Sequence, residues 1–123
     1  MAMFQLFKRR TEKQISGQLG EEQALRHLQR HGLKLRERNF RCKGGEIDLI
    51  MEEGDTLVFV EVRKRAQAQY GGAAASITPA KQRRLLIAAQ FYLRRYKMPP
   101  ACRFDVVAID AAELTWLKNA IES

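Results

Sequence analysis

The sequence predicts an α/β domain, a mixed β-sheet flanked by helices in the order α-β-β-β-α-β-β. Three observations carry this. Glu46–Glu52 and Thr56–Arg65 alternate as strands around a hairpin-type loop at Glu53-Gly54-Asp55. Thr78-Pro79 then starts a helix, with Thr78 as N-cap and Pro79 as first helical residue. A further apolar strand, Arg103–Ile109, follows it. A meander leading into a helical crossover makes the sheet mixed and places helices on its faces.

Taken in order, residues 1–15 read as a flexible, basic N-terminal arm, and a single domain is expected over 16–123. The first helix is expected to start near Ser16, a favourable N-cap type, with Leu19, Ala24, Leu25 and Leu28 as its apolar stripe and Gly32 as its stop. Glu21 and Glu22 sit in its first turns. A strand is expected around Leu33–Arg41, and Gly44-Gly45 is a turn signal. In the next strand Ile47 and Leu49 share one face, with Glu46, Asp48 and Ile50 on the other. In Thr56–Arg65, Val58, Val60 and Val62 oppose Leu57, Phe59, Glu61 and Arg63. Apolar residues on both faces place that strand at the centre of the sheet.

Tyr70–Ala75 reads as a flexible loop. In the second helix Leu85, Leu86, Ala89, Tyr92 and Leu93 supply the buried side, Lys81, Arg84 and Arg95 decorate the rest, and Met98-Pro99-Pro100 ends it. Asp110–Glu113 makes a turn into a short final strand, Leu114–Lys118, which carries Trp116.

At 123 residues the chain is one domain long, and 46% hydrophobic with 29% charged residues is a folding rather than a disordered composition. Apolar runs such as Leu57–Val60 are far too short to cross a bilayer, so no stable membrane association is expected. The N-terminus lacks the pattern of a signal peptide, so a cytoplasmic address is expected. Cys42 and Cys102 have no CxxC spacing and fit reduced, partly buried thiols. His27 and His31 can share a helix face but lack a third ligand, and Gly71-Gly72 is not followed by the phosphate-loop GK[ST].

The net charge is +8 and the pI about 9.9. Residues 26–43 set Arg26, Arg30, Lys34, Arg36, Arg38, Arg41 and Lys43 against a single acid, Glu37. Further basic clusters lie at Arg63-Lys64-Arg65 and around Lys81, Arg83 and Arg84. Such an excess favours a polyanionic partner, because every phosphate neutralised releases counterions.

Against that background three acids stand out. Glu46 and Asp48 lie on one face of a strand, and Glu61 in the middle of the next. With the turn centred near residue 54, Asp48 and Glu61 fall nearly opposite, where paired Cβ atoms lie about 4.5–5.5 Å apart. Carboxylates that close raise one another's pKa unless a cation lies between them, and hard oxygen donors suit Mg²⁺ or Mn²⁺. The bland reading is a structural ion pair from Glu61 to Arg63, Arg65 or another arginine.

The string Gly45-Glu46-Ile47-Asp48-Leu49-Ile50, followed by Val58-Phe59-Val60-Glu61-Val62-Arg63, resembles the PD-(D/E)xK nuclease motif. The chain as a whole resembles the YraN-like uncharacterised bacterial family, related in fold to archaeal Holliday-junction resolvases. The likeness runs from Gly17-Gln18-Leu19-Gly20-Glu21 through Arg38-Asn39-Phe40-Arg41 to Lys81-Gln82 and Arg103-Phe104-Asp105-Val106-Val107. It implies a restriction-endonuclease-like core, with Asp48 and Glu61 as ligands of Mg²⁺ or Mn²⁺, the Val62 carbonyl as a third, and Glu21 joining from the first helix. Glu46 would support the site or contact a basic neighbour. The motif's lysine is Arg63 here; a permanently charged guanidinium cannot act as a general base, but it can hold a phosphate oxygen. Lys64 should face the other side of its strand, and Lys81 could reach the site from the second helix.

The resemblance thus implies an endonuclease on branched or structured nucleic acid, DNA ahead of RNA, with Arg38, Arg41, Lys43, Arg65, Lys81 and Arg84 on the backbone. It also allows a homodimer. The alternative is a non-catalytic module that binds nucleic acid or protein on a nuclease fold, with Arg63 marking a degraded site.

Overall fold

A computed structural model describes residues 12–65, 77–110 and 113–121. Helix α1 (Glu12–Arg30) is followed by β1 (Lys34–Cys42), β2 (Gly45–Glu53) and β3 (Thr56–Arg65), then α2 (Pro79–Leu93), β4 (Cys102–Asp110) and β5 (Glu113–Leu117). The five strands form one sheet in the order β1-β2-β3-β4-β5. All neighbours are antiparallel except β3 and β4, the parallel pair joined through α2. The predicted mixed sheet and element order are therefore observed, with β3 at the centre.

The two faces of β3 bury different cores, as its alternation predicts. Leu57 and Phe59 pack with Leu85, Ala88, Ala89 and Tyr92 under α2. Val58 and Val60 pack with Ala24, Leu25 and Leu28 under α1. Each fully buried side chain of this size stabilises the fold by about 1.5–3 kcal/mol.

Four expectations outside β2 need correction. Helix α1 begins at Glu12 rather than near Ser16, so residues 12–15 belong to the helix and not to an arm; 1–11 lie outside the described residues. Leu19 is 56% exposed. At 100° per residue it lies about 140° around the helix from Ala24, off the buried stripe. Helix α2 ends at Leu93, before Met98-Pro99-Pro100. The backbone tightens there into three-residue turns, with Arg94, Arg95 and Tyr96 N–H groups donating to Phe91, Tyr92 and Leu93. Finally, Cys102 is exposed, whereas Cys42 is partly buried as expected. The expected loop at Tyr70–Ala75 lies outside the described residues.

Strand β2 departs from simple alternation. Ile47 and Ile50 pack on the α2 side, while Leu49 and Met51 pack on the α1 side, so Ile47 and Leu49 do not share a face. The break coincides with Asn39, which lies on β1 between the pairs Arg38↔Leu49 and Phe40↔Ile47 and has φ 52°. Asparagine tolerates this left-handed conformation better than most residues. The irregularity re-aims the stretch around Asp48, at the place where the candidate site lies.

Gly45 sets how closely α2 approaches β2. A Cβ there would run into the Arg84 carbonyl oxygen and lie 2.8 Å from the Ala88 nitrogen, both helix backbone. Gly45→Ala is expected to destabilise the fold by about 1–3 kcal/mol through overpacking, readable as a lower urea midpoint with unchanged slope. At α2's start, Thr78 Oγ1 accepts from the Lys81 N–H at 3.2 Å, which fixes the first turn and with it Lys81.

Candidate active site

The β2–β3 ladder runs from Glu53↔Thr56 to Leu49↔Val60 and ends there. Continued in register, the next pair would be Asp48 and Glu61, as the spacing predicts. The Val62 N–H donates instead to Asp48 Oδ2 at 2.8 Å. A side-chain carboxylate takes this strand donor, and Asp48 is thereby anchored beside Glu61.

Glu61 shares the β3 face of Leu57 and Phe59, which is the α2 side. A small cleft there is lined by Glu46, Glu61, Arg63, Lys81 and Arg84. Burial raises the Glu61 pKa first, followed by its hydrogen bond to Asp48 and the Asp48 charge, and Arg63 and Lys81 offset part of this; the result is pushed up to about 9. At neutral pH Glu61 therefore keeps its proton and donates it toward Asp48. A carboxyl buried against a second carboxylate is disfavoured in its charged form, and a nearby cation would relieve this.

Glu21 approaches the same point from α1. Its pKa is raised by burial and then by the charge of Asp48, against the opposing pull of Arg38, the Asn39 amide and Arg41. With its nitrogen turned toward the carboxylate, the Asn39 amide donates to both Glu21 oxygens, at 3.2 and 3.3 Å. Glu22 points elsewhere, to Arg38 at 3.1 Å and Arg26 at 3.4 Å. Of the two adjacent helix acids, Glu21 is thus the one beside Asp48. Gly20 allows the approach: a Cβ there would sit 3.2 Å from Cδ of Lys64, whose stem lies against α1. Lys64 faces away from the cleft, as alternation requires.

Glu46 contacts basic neighbours, Arg84 at 3.3 Å and Arg41 at 3.8 Å. Lys43 is exposed on the β1–β2 turn, and the Arg65 side chain lies outside the described residues. Arg41 and Arg84 border the cleft through Glu46, whereas Arg38 lies on the α1 side with Glu22. His27 and His31 stack at 4.4 Å against the edge of Trp116.

No three His, Cys, Asp or Glu side chains among the described residues form a group that could by themselves hold a metal ion. Mg²⁺ does not require one, since it is usually bound by one or two carboxylates with water and substrate phosphate completing its shell. The Asp48–Glu61 pair supplies two adjacent carboxylates.

Two residues escaped the sequence reading. Asn39 orients Glu21, and its signal is an asparagine inside a strand pattern. Asp105 is fully buried, and its signal is an acid within the apolar run Phe104–Ile109.

A sequence model of the family described as "Uncharacterised protein family UPF0102" matches residues 20–109, a span that includes Glu21, Asp48, Glu61, Arg63, Lys81 and Arg84. The chain is 73% identical to a UPF0102 protein of Herminiimonas arsenicoxydans, over 93% of this chain and 92% of that one. It is 68% identical to a UPF0102 protein of Janthinobacterium sp. (strain Marseille), over 93% of each. A UPF0102 protein of Cupriavidus pinatubonensis is 57% identical, over 89% of this chain and 87% of its own. No helix among the described residues is long and apolar enough to cross a membrane.

Proposed function

The chain belongs to the UPF0102 family, and we propose that it is a metal-dependent nucleic-acid phosphodiester hydrolase, an endonuclease built on a restriction-endonuclease-like core with kinship to Holliday-junction resolvases. One observation carries the reading. Asp48, anchored by the Val62 N–H, lies beside Glu61 at the margin of a cleft lined by Glu61, Glu46, Arg63, Lys81 and Arg84, so an acidic metal-type pair faces a largely basic, phosphate-type wall.

Asp48 and Glu61 would hold Mg²⁺ or Mn²⁺, with the Val62 carbonyl and Glu21 as further oxygen donors. Such an ion, when bound, supplies positive charge at the phosphoryl oxygen and lowers the pKa of water. Arg63 and Lys81 hold phosphate oxygens and stabilise the charge that develops on them. Arg63 cannot take up a proton from water, so that proton goes to a carboxylate or to solvent. Arg41, Lys43 and Arg84 track the backbone beyond the cleft, and Arg38 and Arg65 extend the basic surface. Phosphate contacts of this kind position a strand without reading its sequence. DNA, branched or otherwise structured, is favoured over RNA as the substrate.

The test is cleavage of a labelled panel (linear duplex, single strand, four-way junction) with Mg²⁺ or Mn²⁺, wild type beside Glu61→Ala. Cutting by the wild type that disappears in the variant is the expected result. Arg63 at the motif's lysine position favours a second reading, binding without cutting. Equal, salt-sensitive binding by both proteins with no cleavage would establish that one instead.

A further inference from the structure

The outer face of α2 is unusual for a helix that closes over a core. Arg84, Ile87, Phe91 and Arg94 recur at spacings that place them on one side. All four are exposed; Ile87 is 44% and Phe91 49% accessible. The Phe91 ring is held from two directions. Its centroid lies 6.4 Å from that of Phe40. The Arg94 guanidinium lies 5.1 Å from the ring centroid. The stripe spans about 15 Å along the helix, and its first member, Arg84, also lines the acidic–basic cleft.

We propose that this stripe is a stacking track for unpaired bases of a DNA strand whose backbone continues into the cleft. Charge selects the class of partner. From Val62 to Phe104 the sequence contains no Asp or Glu, so α2 itself contributes only positive charge around an apolar, aromatic centre, and the acids that meet it, Glu46 on Arg84 and Glu37 on Arg95, come from β2 and β1. A second copy of the chain docking here by two-fold symmetry would bring arginines against arginines. A polyanion with flat apolar faces satisfies both features at once, the phosphates meeting Arg84 and Arg94 and a base meeting Phe91. Base–aromatic stacking beside cationic side chains is the general mode of single-strand recognition. A blunt duplex keeps its base faces inside the stack and offers Phe91 nothing. The substrate class therefore narrows to DNA with an unpaired segment next to the scissile phosphate.

This inference rests on the hydrolase reading only for what happens at the cleft; strand binding is independent of it. The experiment is fluorescence anisotropy without divalent metal, using three probes: a single-stranded oligonucleotide, an abasic strand of the same length, and a blunt duplex. Phe91→Leu is expected to weaken binding of the base-bearing strand about tenfold, while leaving the abasic strand and the duplex close to wild type. Phe91→Trp, which keeps an aromatic face, is expected to retain wild-type affinity. An equal loss on base-bearing and abasic strands, or no loss on either, would overturn the track. So would a wild-type dimer that Phe91→Leu dissolves, since the face would then be an interface between copies. Binding is read without metal and without cleavage, so a failure of cleavage leaves this result legible.

Discussion

Glu61→Gln is expected to make the protein more stable in mild alkali while abolishing the proposed cleavage. The sign follows from the raised pKa. An unfolded Glu61 titrates near 4.5, whereas the folded one holds its proton to about 9. Between those values the folded state binds a proton that the unfolded state has lost, so stability falls as pH rises. The favourable contribution is fully present below about pH 4.5 and lost by about pH 9. Glutamine cannot ionise, and its amide can still donate to Asp48, so the variant should lack this slope. At pH 9 the difference should be on the order of a few kcal/mol in the variant's favour.

Thermal melts of both proteins at pH 5, 7 and 9 measure it; parallel curves would mean that Glu61 does not titrate as described. Added Mg²⁺ or Mn²⁺ should raise the wild-type melting temperature at pH 8 and leave the variant unmoved, because only a ligand that binds the folded state stabilises it. Activity should fall by at least about a hundredfold, since even groups that merely orient metal ligands are worth that order. A site that costs stability until it is filled is a common trade-off between function and stability.

Asp105→Ala should produce the largest loss of stability. Asp105 is fully buried on β4. It accepts from Arg103 Nε at 3.1 Å, from Trp116 Nε1 at 2.9 Å and from the Asn119 N–H at 2.8 Å. Arg103 also reaches Glu53 at 2.6 Å, so one carboxylate ties the start of β4 to β5, the C-terminal turn and the end of β2. Removing it leaves the largely buried guanidinium with Glu53 as its remaining carboxylate, while its Nη2 has no partner among the described residues. Breaking a buried pair from one side costs about 3–5 kcal/mol. The indole of Trp116 loses its acceptor in the same step, so its fluorescence reports the change beside a urea titration. By alternation Asp105 faces the α1 side with Val107 and Ile109, away from the cleft. Cleavage per folded molecule should therefore survive, which separates this buried network from the site acids.

The architecture was legible in the sequence because it rests on local rules. Alternation in Thr56–Arg65 marked a central strand, and Thr78-Pro79 marked a helix start; both depend on residues close in sequence. The opposition of Asp48 and Glu61 was equally readable, because a tight turn at Gly54-Asp55 sets the register of the strands it joins. Helix ends were read less well: α1 begins earlier and α2 stops sooner than their cap and proline signals suggested. Tertiary structure alone decided the rest. The left-handed Asn39 breaks the alternation of β2, moves Ile47 to the α2 side and gives Glu21 its hydrogen-bond partner. No period-two pattern could foresee that, because it depends on two strands and a helix meeting. The raised pKa of Glu61 is likewise a property of burial. The sequence determined which acids could meet, and the packing of α2 over β3 decided that they meet partly buried, beside Arg63 and Lys81, where the pKa of Glu61 is held up.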